Sequence, residues 1–427
     1  MQRPGLGVWA DLNSATVYDH ENYNLTRMLR RALVLENETL DMYSGRRMRI
    51  RKGLAVANVC AGSRELLSDL PMDLLTSYLD RYFEYVSPTF PILDLRALKN
   101  TLGCFNKRQS ASRLEECSLY LALAIGAVFP STDTLLDATI ASRLWWEVYN
   151  ESGVYEESED TVRILILLAI LSLLQDGCGS TWHLVELVVR SCIKLGLHSK
   201  TAKQAAGTDI APIFWSAYLL DRWVSCTLGL PVSIQNEEFD QNIPSGVTEN
   251  PRQSLPVSLW NMAYILFQDG DLQQHEDIRR GLSEEEASQP SMVLYHMVSS
   301  DLQIAHAARS IVRDGIDLAP RFEDVAISHL QQTEAIVSSG CTLPWTTGFT
   351  TFVCVMVRLI SFSYPAKYRT LLRGSAPDAR YIQRALAIVR SLGRRYGYLN
   401  CLADILENTQ KAGTAGASVR TVRLLRV

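Results

Sequence analysis

Chemistry needs groups that titrate, ligate or attack, at spacings a fold can bring together, so the seven histidines and nine cysteines are the first residues to place. The histidines are His20, His183, His198, His275, His296, His306 and His329. None falls in H-E-x-x-H, the spacing that sets two imidazoles on one helical face around zinc; His275-Glu276 lacks its second histidine. No two cysteines are closer than thirteen residues, the spacing of Cys104 and Cys117 and of Cys341 and Cys354, which leaves no C-x-x-C for a zinc ligand pair or a redox dithiol. There is no G-x-S-x-G elbow and no G-x-x-x-x-G-K phosphate loop. Gly5-Leu6-Gly7-Val8-Trp9-Ala10 fits a dinucleotide fingerprint loosely, but without a preceding strand its glycines have no turn to make. A helical enzyme of the terpene-cyclase kind would hold magnesium with aspartates one turn apart; no D-D-x-x-D occurs, and Asp269 and Asp271 would point to different sides of a helix. The sequence therefore predicts no catalytic residue, no metal and no cofactor, and a helical enzyme is kept only as the third reading.

The bulk properties agree. The chain of 427 residues is 47% hydrophobic and 21% charged, ordinary globular usage, and its 42 basic against 46 acidic residues leave a net charge of −4. No overall field draws it onto phosphate backbones, so DNA is to be met through a local patch or a partner. Scattered cysteines read as reduced, mostly buried thiols, which suits the cytosol or nucleus. The start, Met1 to Trp9, has no apolar leader segment, and the sequons at Asn24, Asn37 and Asn150 are taken as chance matches. The longest apolar run, Ile164 to Leu174, is shorter than the roughly 18 residues that span a bilayer, and no membrane is expected as a partner.

Strand signals are nearly absent and helix signals are plentiful, so the expected fold class is all-α, a large multi-helix bundle. Leu75, Tyr78, Leu79, Tyr82, Phe83 and Val86 draw one apolar stripe, stopped by Pro88 and Pro91, with Phe90-Pro91-Ile92-Leu93 extended. Thr161 to Leu174 is apolar on every side except at Arg163 and Ser172, which predicts a helix packed all round at the core's axis. From Thr181 to Leu195 the residues His183, Glu186, Arg190 and Lys194 form one solvated stripe, and Gly196 with Leu197 closes the helix as a Schellman cap. A further helix runs from Pro212 to Leu228, stopped by Gly229 and Pro231. The expected organisation is residues 1–60 as a segment with a basic run, 61–267 as a helical core, 268–290 as an acidic linker or surface excursion, 291–410 as a second helical block packed on the core, and 411–427 as a frayed basic tail. Within the second block, Ser300 to Val312, Phe322 to Ser338, Thr351 to Ser363 and Ala376 to Arg394 carry helical apolar spacing.

Several segments in order now carry a resemblance. Leu79 to Leu93, with Tyr82-Phe83, Pro88 and Phe90-Pro91-Ile92-Leu93, resembles the opening of the fungal-specific transcription factor domain, the middle homology region of binuclear-zinc-cluster regulators. Thr161 to Leu174 resembles its long apolar helix. Trp182, Arg190, Gly196 and His198 match its next helix and turn; Phe214, Trp215, Asp221, Arg222, Gly229 and Pro231 match the one after, and the likeness covers about residues 70–250. Ala211-Pro212-Ile213 and Leu230 depart from it, standing where the family carries basic residues. The six paired cysteines that usually open such proteins are not among residues 1–60, which hold only Cys60.

The resemblance implies a transcription regulator in the nucleus, controlling the genes of a pathway, plausibly a biosynthetic cluster. Its expected partners are other transcription factors or coregulators, a small-molecule effector, and DNA reached indirectly or weakly through Arg46, Arg47, Arg49, Arg51 and Lys52, a run that also suits nuclear import. The second reading is a non-DNA-binding cofactor or dimer partner. Leu25, Leu29, Leu33 and Leu40 suit a core or docking helix, or a dimer seam. Asp221 and Arg222 interrupt an apolar helix. Neighbours on a helix diverge by about 100°, so the pair is expected to seek separate partners, with Arg190 the candidate for Asp221.

Overall fold

The computed structural model describes residues 67–107, 111–129, 135–152, 157–200, 210–244, 251–266, 289–314, 319–363 and 379–414. The basic run from Arg46 to Lys52, the leucines from Leu25 to Leu40 and residues 268–288 of the acidic stretch lie outside these. Among the described residues the regular structure is all helical: thirteen α-helices and a single 3-10 turn, Asn236–Glu238. In chain order they are α1 (Met72–Tyr85), α2 (Leu95–Asn106), α3 (Arg113–Val128), α4 (Leu135–Ser152), α5 (Glu159–Leu174), α6 (Thr181–Lys194), α7 (Ala211–Leu228), α8 (Pro251–Leu266), α9 (Pro290–Asp314), α10 (Ala319–Ser338), α11 (Trp345–Ser363), α12 (Ala379–Gly393) and α13 (Leu399–Thr414).

Local chemistry sets the ends. Asp94 accepts from the Ala97 amide at 2.7 Å to open α2, Ser112 and Glu115 form a capping box on α3, and Ser158 and Ser180 cap α5 and α6. Gly196 stands at φ 72°, with Leu197 N to Cys192 O at 2.9 Å and Gly196 N to Ile193 O at 3.0 Å, the bond pair of the expected Schellman motif. Gly229 ends α7 in the same way, at φ 68°. At the far end, α13 continues to Thr414, past the fraying expected from Lys411. Helices α2, α3, α4, α8 and α13 add to those the apolar spacing marks individually.

α5 is the axis. From Thr161 to Leu174 every residue but Arg163 is buried, and α3, α4, α6, α7 and α11 all pack on it. Each Leu or Ile so enclosed contributes about 1.5–3 kcal/mol of transfer free energy. α1 crosses α3 closely enough that a Cβ on Gly126 would stand 1.8 Å from the Tyr78 carbonyl oxygen, so only hydrogen fits there. α9 packs on α1, α7 and α8, and α11 on α5 and α7, so the later helices complete the same interior.

Their polar contacts explain why. α3 and α5 end inside the molecule, where their last carbonyls need donors. Arg395 gives its Nε–H to Leu174 O at 3.0 Å and its Nη groups to Gln175 Oε1 and Thr342 Oγ1, each at 3.1 Å. The Thr342 hydroxyl donates in turn to Val128 O at 2.5 Å, and the Tyr396 hydroxyl lies 2.7 Å from Leu343 O and 3.2 Å from Leu173 O. A guanidinium is the right group for the negative end of a helix.

Three variants test these contacts by thermal or urea unfolding. Gly126→Ala lowers stability by about 1–3 kcal/mol, because α1 and α3 must part, while Gly103→Ala, with open space around its Cβ, raises it by about 0.5–1 kcal/mol. Arg395→Met lowers stability by about 1–3 kcal/mol by stranding the Leu174 carbonyl.

Candidate functional site

The motif residues of α6 and α7 divide into a wet face and a buried centre. On α6, His183, Glu186, Arg190 and Lys194 form the expected solvated stripe; the Arg190 side chain is 76% exposed and lies 4.0 Å from Glu186. Trp182 is half-buried against the core and Leu197 is buried; the Asp240 amide donates to His198 O at 3.3 Å. On α7, Phe214 and Trp215 sit in an aromatic cluster with Tyr218, Phe239, Trp260 and Tyr264, and the Trp215 indole donates to Asn242 O at 2.9 Å. Leu230, where the family pattern carries a charge, is buried, and Pro231 starts the return of the chain.

Asp221 and Arg222 correct the sequence reading. Both are fully buried, and they pair with each other: Arg222 Nη1 donates to Asp221 Oδ2 at 2.8 Å. Arg190 is not the partner, since it points to solvent from α6. The 100° rule fails because the chain after Gly229 folds back over α7 and gives both side chains one target. The Ser233 amide reaches both Asp221 oxygens at 3.0 Å; Arg222 Nη2 donates to Ile234 O at 2.6 Å and to Asn236 Oδ1 at 3.1 Å. The guanidinium also stacks 4.2 Å from the Tyr218 ring centroid, and the Tyr218 hydroxyl donates to Asn236 Oδ1 at 2.7 Å. Burial pushes the Asp221 carboxyl up; Arg222 and the Ser233 amide pull it back towards ionisation.

A second polar centre has no motif in the sequence to announce it. Trp223, next in the chain, donates from Nε1 to Asp301 Oδ2 of α9 at 2.9 Å, and both residues are buried. Beside it, Ser300 donates to His329 Nδ1 of α10 at 2.6 Å; His329 Nε2 stands 3.0 Å from Thr351 Oγ1, whose own proton goes to Thr347 O at 2.7 Å. That chain of donors makes Nε2 the protonated nitrogen of His329. A serine hydroxyl on an imidazole suggests a nucleophile and its base. Here burial lowers the imidazole to about 4, a weak base at neutral pH, and no acid orients it. The pocket beside it, lined by Tyr295, His296, Ser299, Gln303, Ser328 and Gln332, has room for little more than one water molecule. The arrangement ties three helices together and offers nowhere for a substrate. Among the described residues no group of three His, Cys, Asp or Glu side chains could hold a metal ion, and no helix is long and apolar enough to cross a membrane. Arg46, Arg47, Arg49, Arg51 and Lys52 are not among the described residues.

Asp301 has no signal of its own in the sequence: it follows Ser299-Ser300 and precedes Leu302-Gln303, as a surface acid would, and only the fold sets it against Thr346 and Thr350. For the α7 pair, denaturant unfolding gives a direct check. Arg222→Met strands a buried carboxylate and costs about 3–5 kcal/mol, and the double variant Asp221→Asn/Arg222→Met loses less than the sum of its single changes.

Residues 79–257 match the family described as the fungal specific transcription factor domain, a span that runs from α1 into α8. An uncharacterised transcriptional regulatory protein of Schizosaccharomyces pombe is 27% identical over 190 residues, 42% of this chain and 24% of its own. A negative regulator of pleiotropic drug resistance from Candida glabrata, STB5, is 24% identical over 212 residues, 43% of this chain and 21% of its own. A transcription factor of Gibberella moniliformis, FBD3, is 25% identical over 288 residues, 60% of this chain and 38% of its own. This chain thus spans only about a quarter of the length of the first two relatives. No solved structure matches it. Residues 79–257, from α1 into α8 and including the buried Asp221–Arg222 pair, are thus similar to the fungal specific transcription factor domain, and the relatives carry the names of transcriptional regulators.

Proposed function

We propose that this protein regulates transcription in the nucleus, through a helical core that works by changing its packing and not by chemistry. The observation that carries the reading is the family match over residues 79–257, together with the regulatory names of the relatives. The geometry supports it: the buried charges of α7, Asp221 and Arg222, are spent on internal bonds, and the pocket beside His329 has no room for a substrate. A core of this kind acts by holding two arrangements close in free energy, which a partner or a small-molecule effector distinguishes by differential affinity. Its partners are other transcription factors or coregulators, and a dimer is one such arrangement. The controlled genes belong to one pathway, with a biosynthetic cluster the finer form of the proposal. The wet face of α6 is then open to other molecules, and the charge of Arg46, Arg47, Arg49, Arg51 and Lys52 suits phosphates.

A second reading is a non-DNA-binding cofactor or dimer partner that reaches DNA through a zinc-cluster factor. In the first reading the basic run touches phosphates without reading bases.

Fusing the full chain to a heterologous DNA-binding domain should change reporter output; Arg222→Met should abolish the change. No change with well-folded wild-type fusion would oppose the proposal. For duplex DNA, weak binding is expected with a steep salt dependence. Changing Arg46, Arg47, Arg49, Arg51 and Lys52 to Gln should flatten the log–log slope by about 0.9 for each phosphate that is no longer neutralised. Salt-insensitive binding would remove the phosphate role.

A further inference from the structure

Asp301 presents a problem that the domain's function does not answer. It is fully buried where α7, α9 and α11 meet, and among the described residues the groups that face it are all neutral. From α7 comes the Trp223 indole N–H; from α11 come the hydroxyls of Thr346 and Thr350 and the thiol of Cys354, which the carboxylate itself helps to push up. The ionic pair of α7, Asp221 and Arg222, is closed on itself and on the loop from Ser233 to Asn236. From α10 the buried titratable group is His329, neutral and held by Ser300 and Thr351. The buried faces of α1 and α8 bring tyrosines, Tyr78, Tyr82 and Tyr85, and apolar residues, with no cation among the described side chains.

An isolated carboxylate in such a place is costly, and one oxygen, Oδ1, has no donor within hydrogen-bond distance among the described residues. A proton removes the charge; from α11 the Thr346 hydroxyl, itself without a partner among the described residues, faces the same carboxyl. We propose that Asp301 is a proton-operated latch between the domain of residues 79–257 and the C-terminal helices: protonated, it closes α7, α9 and α11 on one another, and its ionisation loosens their junction. The latch does not depend on the regulatory reading; it requires only this junction. Burial pushes the carboxyl up to about 6, against 3.8 for an ordinary aspartate, with the Trp223 and threonine bonds opposing. A raised folded-state value means that the stabilisation is present at low pH and is lost as pH rises through about 6.

The test is urea unfolding of the full chain from pH 5 to 7.5, wild type against Asp301→Asn. The asparagine keeps an acceptor for Trp223 and a donor for the threonines but cannot ionise. Taking the difference cancels His329, whose depressed value acts with the opposite sign, losing stability as pH falls. The wild-type folding constant, relative to that of the variant, should fall at least about tenfold over this range, and amide exchange in α9 and α11 should quicken at pH 7.5 in wild type alone. Equal pH slopes in the two proteins would overturn the latch. So would potassium or sodium chloride restoring wild-type stability at pH 7.5 without affecting the variant, since a metal cation would then be the partner. If Asp301→Asn does not fold, Trp223→Phe decides: losing the donor to the anion should move the wild-type transition to higher pH, and an unmoved transition counts against the proposal.

Discussion

A charged pair can stand in the middle of an apolar helix only if something comes to meet it. In this protein the segment from Gly229 to Asn236 does so. Gly229 in the left-handed conformation turns the chain, Pro231 prevents further helix, and the Ser233 amide, the Ile234 carbonyl and the Asn236 side chain then arrive over Asp221 and Arg222. Without that return both charges would be stranded at a cost of several kcal/mol each, and α7 could not sit at the centre of the bundle. Trp215 and Trp223, on the same helix, then fix the loop to Asn242 and α9 to Asp301.

The same logic of satisfying buried polar groups binds the C-terminal helices to the rest. Arg395, Tyr396 and Thr342 serve carbonyls at the ends of α3 and α5, far away in sequence, and His329 links α9, α10 and α11. These bonds add little net stability each, but removing one partner is expensive, so they select a single packing. A core whose alternatives are penalised in this discrete way moves between arrangements, if at all, by exchanging whole sets of partners. That is the property a regulatory domain requires.

Local features are legible in the sequence. The stripe of α1, the wet face of α6 and the glycine stops at Gly196 and Gly229 depend on residues within a few positions of one another, and they stand where the spacing puts them. α3 escapes such a reading because it is buried from Glu116 to Val128 and has no polar face to mark its period. The Asp221–Arg222 pairing escapes it for another reason: helix geometry alone separates the two side chains, and the loop that reunites them acts through tertiary contact. Asp301 is invisible as a site because a lone acid in an amphipathic helix reads as surface, and only the placement of Trp223, 78 residues earlier, shows otherwise.

The α7 pair and its covering loop act as one unit with the helices around them. Native-state hydrogen exchange on the full chain, wild type against Arg222→Met, reads this directly. Loss of protection in α7, in residues 229–236 and in α9 and α11 together, by a similar factor, is the predicted result. Loss confined to residues 229–236, with α9 and α11 unchanged, would contradict it.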